Sequence, residues 1–251
     1  MAGLIATCTN YANLLLTVEV ERPKGTETWD TPRSTWLLVF KREQTSSQLA
    51  TLLHKLPLPE KTRWLNVTFS PFPNGNALLG VIGFTRVYEV ECSPSQHSRA
   101  ASLTTVLKPY QLPLAYRCIS GFRVCDQWNL AASFEDDSVR VFSFIDGLLA
   151  ESCRLALASC VQRPFRIIDL LPGVLLVRSE APSPDCSWTT FLDLFQYDAR
   201  CCFSPPSRLL EHKGILIPLA TLSPRSQERG SKAELVALDH DSKALRFYDI
   251  F

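Results

Sequence analysis

The sequence predicts an all-β protein assembled from one repeated unit, and three observations predict it. Five segments share a pattern, an apolar residue followed by an aromatic and flanked by polar positions: "WLLVFKR" (36–42), "TRVYEVE" (85–91), "SVRVFSF" (138–144), "LDLFQYD" (192–198) and "ALRFYDI" (244–250). Their aromatics, Phe40, Tyr88, Phe142, Phe195 and Tyr248, stand 48, 54, 53 and 53 residues apart, and a near-constant period of this length marks a repeat architecture. Helical periodicity is scarce, while short apolar runs bounded by turn residues recur throughout.

Taken in order, each aromatic strand follows another apolar strand. These are "NLLLTVEV" (13–20), "ALLGVIG" (77–83), "NLAASF" (129–134), "GVLLVRSE" (173–180) and "AELVALD" (233–239). Where the link is short it is a hairpin turn, "EDDS" at 135–138 and "HDSK" at 240–243, because Asp and Ser bond their own backbone and Asp tolerates left-handed dihedrals. Further strand-like runs come earlier in each unit, among them "RWLNVTFSP" (63–71), "PFRIIDLLP" (164–172) and "GILIPLATL" (214–222). One segment, "SSQLATLLHKL" (46–56), has apolar spacing that predicts a helix. Arg86, Arg140 and Arg246 each sit two residues before their aromatic. Short strands at this density are the period of a β-propeller blade. The expected fold is therefore a single propeller domain over 1–251, with units of approximately 1–43, 44–92, 93–146, 147–198 and 199–251.

The stretches "VTFSPFPNGNALLGVIGFTRVYEV", "LAASFEDDSVRVFSF" and "LVALDHDSKALRFYDI" resemble degenerate WD40 repeats. In that family an aspartate turn precedes an apolar strand ending in Trp-Asp. Asp137 and Asp241 hold the turn position, and Tyr248-Asp249 stands where Trp-Asp would be. Phe142-Ser143 and Tyr88-Glu89 depart from the pattern, and the Gly-His pair that opens a typical repeat is missing. The resemblance implies that the aromatic strand is the third of four in a blade. Two arrangements stay open: a five-bladed ring with an incomplete blade, or an open arc completed by more protein, since unpaired sheet edges invite pairing.

Composition narrows the function. A formal charge of +1 gives no field to steer the chain toward nucleic acid or an anionic membrane, and basic and aromatic residues do not interleave as a single-strand platform needs. No apolar run of about eighteen residues exists, and the N-terminus lacks a basic start, so a soluble cytoplasmic or nuclear chain is expected. The nine cysteines, an odd number, are scattered through apolar segments, and most read as small buried hydrophobes of an intracellular protein. Phosphate-loop, dinucleotide, zinc-protease and nucleophile-elbow motifs are all missing. His54, His97, His212 and His240 are isolated, Cys201-Cys202 has no partnering motif, and Asp136-Asp137 reads as a solvated turn, so neither metal nor cofactor is expected.

Two insertions between second and third strands stand out, 21–35 and 179–190, each polar, proline-rich and carrying one tryptophan. In WD40-like proteins such loops lie on the face most used for binding, and an aromatic there suits a protein interface. Trp29, Asp30, Arg33, Asp185 and Trp188 are accordingly the candidate partner-binding residues. The expected function is a noncatalytic scaffold or adaptor whose partners are other proteins, without nucleic acid or membrane. Its variant is the substrate-reading part of a ubiquitin ligase, although no F-box helix pattern is visible. The rival is a propeller enzyme or small-molecule binder, since the same frame hosts catalysis.

Overall fold

A computed structural model describes residues 14–21, 25, 28, 31–42, 50–62, 67–71, 76–94, 103–157, 162–184, 187–222 and 234–250. Among them are eighteen strands and no helix. The strands form five antiparallel sheets in chain order. The first holds β1 (Leu14–Val20), β2 (Arg33–Arg42) and β3 (Ala50–Thr62). The second holds β4 (Val67–Pro71), β5 (Ala77–Val81), β6 (Arg86–Pro94) and β7 (Leu103–Gln111). The third holds β8 (Tyr116–Val124), β9 (Gln127–Phe134), β10 (Val139–Ile145) and β11 (Leu148–Leu155). The fourth holds β12 (Arg163–Leu171), β13 (Val174–Pro182), β14 (Trp188–Gln196) and β15 (Ser207–Lys213). The fifth holds β16 (Leu216–Leu222), β17 (Glu234–Asp239) and β18 (Ala244–Asp249). Every sheet pairs sequential neighbours, the meander of a propeller blade.

The aromatic repeat strands are β2, β6, β10, β14 and β18, and in the three central sheets they are third of four. The β9–β10 hairpin shows why the turn residues are acidic. Asp137 adopts φ 62°, a left-handed conformation that Asp accepts more readily than most residues, and the Asp136 carboxylate accepts from the Ser138 amide at 3.1 Å. Arg117 of β8 donates to the Asp137 carboxylate at 2.5 Å and to the Phe134 carbonyl at 2.8 Å, locking the turn to the inner strand.

The apolar core lies between blades. Four clusters of buried side chains each join one sheet to the next: Val39 and Leu58 with Val81 and Val90, Leu78 and Tyr110 with Tyr116 and Leu130, Phe122 and Val141 with Leu175 and Phe195, and Leu176 and Leu192 with Leu235 and Ala237. In the third of these, Phe122 packs against Tyr197 with ring centroids 5.1 Å apart, and Tyr197 packs against Phe203 at 5.4 Å.

Two local expectations are corrected. The predicted helix over 46–56 is strand from Ala50 onward, with residues 46–49 outside the described set. Its leucines fit a helical stripe, but Pro57 and Pro59 cannot continue a helix and are tolerated on an edge strand, since among the described residues β3 pairs with β2 alone. The predicted loop over 179–190 is largely hairpin. Ser179, Glu180, Ala181 and Pro182 pair with Phe191, Thr190, Thr189 and Trp188, and beyond the ladder the Ser183 amide donates to the Ser187 carbonyl at 2.8 Å.

Candidate functional site

A cleft of about 490 Å³ opens where the third and fourth blades meet, at one end of their inner strands. One wall is the β8–β9 turn, with Arg123 next to last in β8 and Cys125 held at φ 52°. The other is the end of β12 and its turn through Pro172 and Gly173, whose φ of 86° favours glycine. A bulge between Asp169 and Leu171 breaks the strict alternation of β12, so that Ile167 and Leu170 are both buried while Asp169 lies on the cleft side. Bulges of this kind re-aim side chains beside functional sites.

Asp169 is exposed at the cleft mouth, and partial desolvation by the chain around it pushes its carboxyl up to about 6. Tyr197 forms the floor. Its backbone amide donates to the Gly173 carbonyl at 2.9 Å and its ring is wedged between Phe122 and Phe203. Burial first, and the Asp169 charge next, raise its phenol above the ordinary value, so the hydroxyl keeps its proton. That hydroxyl is buried with no hydrogen-bond partner among the described residues. A buried hydroxyl left unmatched is costly and is commonly reserved for a ligand or a water. Arg123 stands at the rim, its guanidinium 2.7 Å from Asp126 with both side chains largely in solvent, so the pair is loosely held. The set can take a proton near neutrality, hydrogen-bond a developing oxyanion and hold an anionic group.

Of the residues predicted for partner binding, only Arg33 and Trp188 are among the described residues, and neither lines this cleft. Trp29, Asp30 and Asp185 lie outside the described residues. Arg33 is 6% exposed at the start of β2 and donates to the Thr28 carbonyl at 2.5 Å, so it serves the fold rather than a surface. Trp188 is 39% exposed, but it is the first residue of β14, paired with Pro182, not a loop anchor. Asp136 and Asp137 are occupied by Arg140 and Arg117. The Cys201-Cys202 pair is not on a strand: Cys201 has φ 60° and packs against the core between blades three and four, whereas Cys202 is exposed and is not buried filler. Among the described residues no three of His, Cys, Asp and Glu converge as a metal set. Asp169, Tyr197 and Arg123 were missed in the sequence. The one available signal was an acid inside the apolar run "FRIIDLLP".

No family model and no curated protein matches the sequence. In structure, the chain is similar to a Bacteroides fragilis protein assigned as a 6-phosphogluconolactonase, with a TM-score of 0.57 and 13% identity over 94% of this chain and 73% of that one. The likeness supports the all-β propeller architecture. It also overturns the expectation of a noncatalytic scaffold, adaptor or ubiquitin-ligase substrate reader, and with it the expectation that the chain is no enzyme. The physical reason lies in the frame: stacked blades that create flat binding faces also create clefts between their inner strands, and one here carries a carboxyl with a raised pKa.

Proposed function

We propose that this protein is a hydrolase of small lactones, with a phosphorylated sugar lactone as its substrate class. The observation that carries the reading is the Asp169 carboxyl, raised to about 6 in a cleft floored by the unpaired Tyr197 hydroxyl. A general base works best when its pKa lies near the operating pH. The name of the structurally similar protein supports the substrate class.

In this reading ionised Asp169 removes a proton from water as its oxygen bonds to the lactone carbonyl carbon. The carbonyl electron pair moves onto oxygen, which accepts a hydrogen bond from Tyr197. Collapse of the tetrahedral adduct breaks the bond to the ring oxygen, which takes the proton back from Asp169. The product is the open hydroxy acid, whose carboxyl ionises to solvent. Arg123 releases Asp126 and pairs with the phosphate at the rim, an exchange favoured because phosphate offers the guanidinium two parallel bonds.

The likeness of the hairpins to WD40 repeats we read as a signature of blade geometry, supported by the β9–β10 turn and its acid-to-arginine contacts. Residues 1–251 we read as one domain, supported by the four cores that each bridge consecutive blades. A cytoplasmic or nuclear setting is in keeping with six free cysteines among the described residues.

The test is hydrolysis of 6-phosphogluconolactone, followed by proton release against the spontaneous rate, with unphosphorylated gluconolactone alongside. The wild-type rate should fall on the acid side of about pH 6, where the base is protonated. Asp169→Asn should lower kcat by about 100-fold or more. Tyr197→Phe should lower it by roughly 100-fold. Arg123→Gln should raise KM for the phosphorylated substrate alone. No wild-type rate above the blank, or an Asp169→Asn variant as fast as wild type, overturns the reading.

A further inference from the structure

A second site stands where the first and second blades meet, independent of the Asp169 cleft. Three arginines share one repeat position, two residues before the blade aromatic, and two of them are spoken for. Arg140 bonds Asp136 at 2.6 Å and Arg246 bonds Asp239 at 2.7 Å, each an acid at its own hairpin turn. The corresponding turn before Arg86 reads Ile82-Gly83-Phe84-Thr85 and holds no acid. Arg86 therefore turns to other company. It lines two adjoining clefts, one shared with Tyr88 and the other with Glu60.

The Tyr88 hydroxyl donates to Glu60 of β3 at 2.6 Å. Burial, and then Glu60, hold the Tyr88 phenol well above its ordinary value, so it remains a donor. Glu60 is 6% exposed, and its second oxygen, Oε2, is buried with no partner among the described residues. A carboxylate oxygen left unmatched in that setting is costly, and an incoming donor recovers the loss. Glu60, Lys61 and Arg86 line a cleft of about 320 Å³. Pro59, Arg86 and Gln111 are common walls between it and a second cleft of about 490 Å³, whose sides are mainly Pro57, Leu107, Pro109 and Tyr110. One end thus offers an unmatched anion beside two cations, and the other offers proline and aromatic surface.

A simple cation would be repelled by Lys61 and Arg86, and a simple anion by Glu60. We propose that this paired cleft binds a zwitterionic α-amino acid with an apolar side chain: its ammonium donates to Glu60, its carboxylate pairs with Arg86, and its side chain lies against Pro57, Pro109 and Tyr110. Because Glu60 and Arg86 line one small cleft, the opposite charges of the ligand must be close together, as they are across a single α-carbon. The planar guanidinium suits a carboxylate in two-point contact. The apolar wall sets the preference for aromatic or aliphatic side chains.

The test is calorimetric titration of the full chain with three probes: L-phenylalanine, phenethylamine, which lacks the carboxylate, and 3-phenylpropionate, which lacks the ammonium. Phenylalanine should bind, and each truncated probe should bind about tenfold more weakly or worse, the loss expected for one charged hydrogen bond. Glu60→Gln should weaken phenylalanine by a similar factor while thermal melting confirms that the variant folds. Arg86→Met, at an exposed position, provides the second variant should Glu60→Gln not fold, and it should weaken phenylalanine but leave phenethylamine unchanged. No phenylalanine binding at millimolar concentration overturns the proposal. So does equal binding of the three probes, or phenylalanine binding unaltered by Arg86→Met.

Discussion

Replacing Gly80 by alanine tests the packing between the second and third blades. Gly80 is buried in β5, paired with Thr68 on one side and Val87 on the other. An alanine Cβ there would lie 2.8 Å from the Tyr116 hydroxyl oxygen, 3.0 Å from Tyr116 Cε2 and 3.1 Å from Ile119 Cδ1. Nonbonded carbons prefer roughly 3.5–4.0 Å, so all three neighbours must give way. Tyr116 is fully buried, and its hydroxyl donates to the Arg86 carbonyl at 2.7 Å, so the ring has little room to retreat. Overpacking costs about 1–3 kcal/mol, and the lower entropy of the unfolded alanine chain offsets about 0.5–1 kcal/mol of it. The expected net loss is about 1–2 kcal/mol, a fall in Tm of roughly 2–8 °C for a chain of this size. Calorimetry of Gly80→Ala reads the loss. Tyr116→Phe removes the nearest clashing atom, so the double variant should be less destabilised than the sum of the singles by about 0.5 kcal/mol or more. A Gly80→Ala protein as stable as wild type, or strict additivity with Tyr116→Phe, refutes the packing argument.

Three further outcomes are expected. Phe122→Ala empties the ring cluster between blades three and four and should cost about 3–5 kcal/mol in urea unfolding, loosening Tyr197 as well. Asp169 has a folded pKa near 6, above the unfolded value of about 3.9, so its contribution is intact below pH 4 and is lost as pH rises through 6. Asp169→Asn should therefore be more stable than wild type at pH 7 and equal to it at pH 3.5. The full shift corresponds to about 3 kcal/mol, which solvent on the open side of the cleft reduces to about 1 kcal/mol. Among the six described cysteines, Cys125 and Cys202 are exposed and should react with a thiol reagent in the native state, as peptide mapping would read. Burial pushes the Cys92 and Cys118 thiols up, and these should react only on unfolding.

The strands legible in the sequence are those buried on both faces. "ALLGV" is buried at every position of β5, and β9 and β10 are buried along most of their length, so continuous apolar runs announce them. The outer strands are another matter. β11, "LLAESCRL", and β15, "SRLLEHK", are largely exposed and carry no alternation to read, and β3 was mistaken for a helix. The Asp169 cleft was illegible for a different reason. Arg123, Asp169 and Tyr197 come from two blades and three separate segments, and only the stacking of β12 against β8 and β9 brings them to one place. The bulge that turns Asp169 into the cleft has no signature in side-chain chemistry.

The placement of the core between neighbouring blades has a bearing on how such a sequence can drift. Each blade must fit only the neighbours it touches, so complementarity is a pairwise demand and not one shared by all five. One boundary meets it with a bare glycine under a tyrosine ring, Gly80 beneath Tyr116, and the next with three interlocked rings, Phe122, Tyr197 and Phe203. Nothing in the packing obliges those solutions to resemble each other. A consensus can then fade boundary by boundary while every joint stays tight, leaving a spacing of aromatics as the visible trace of a common plan.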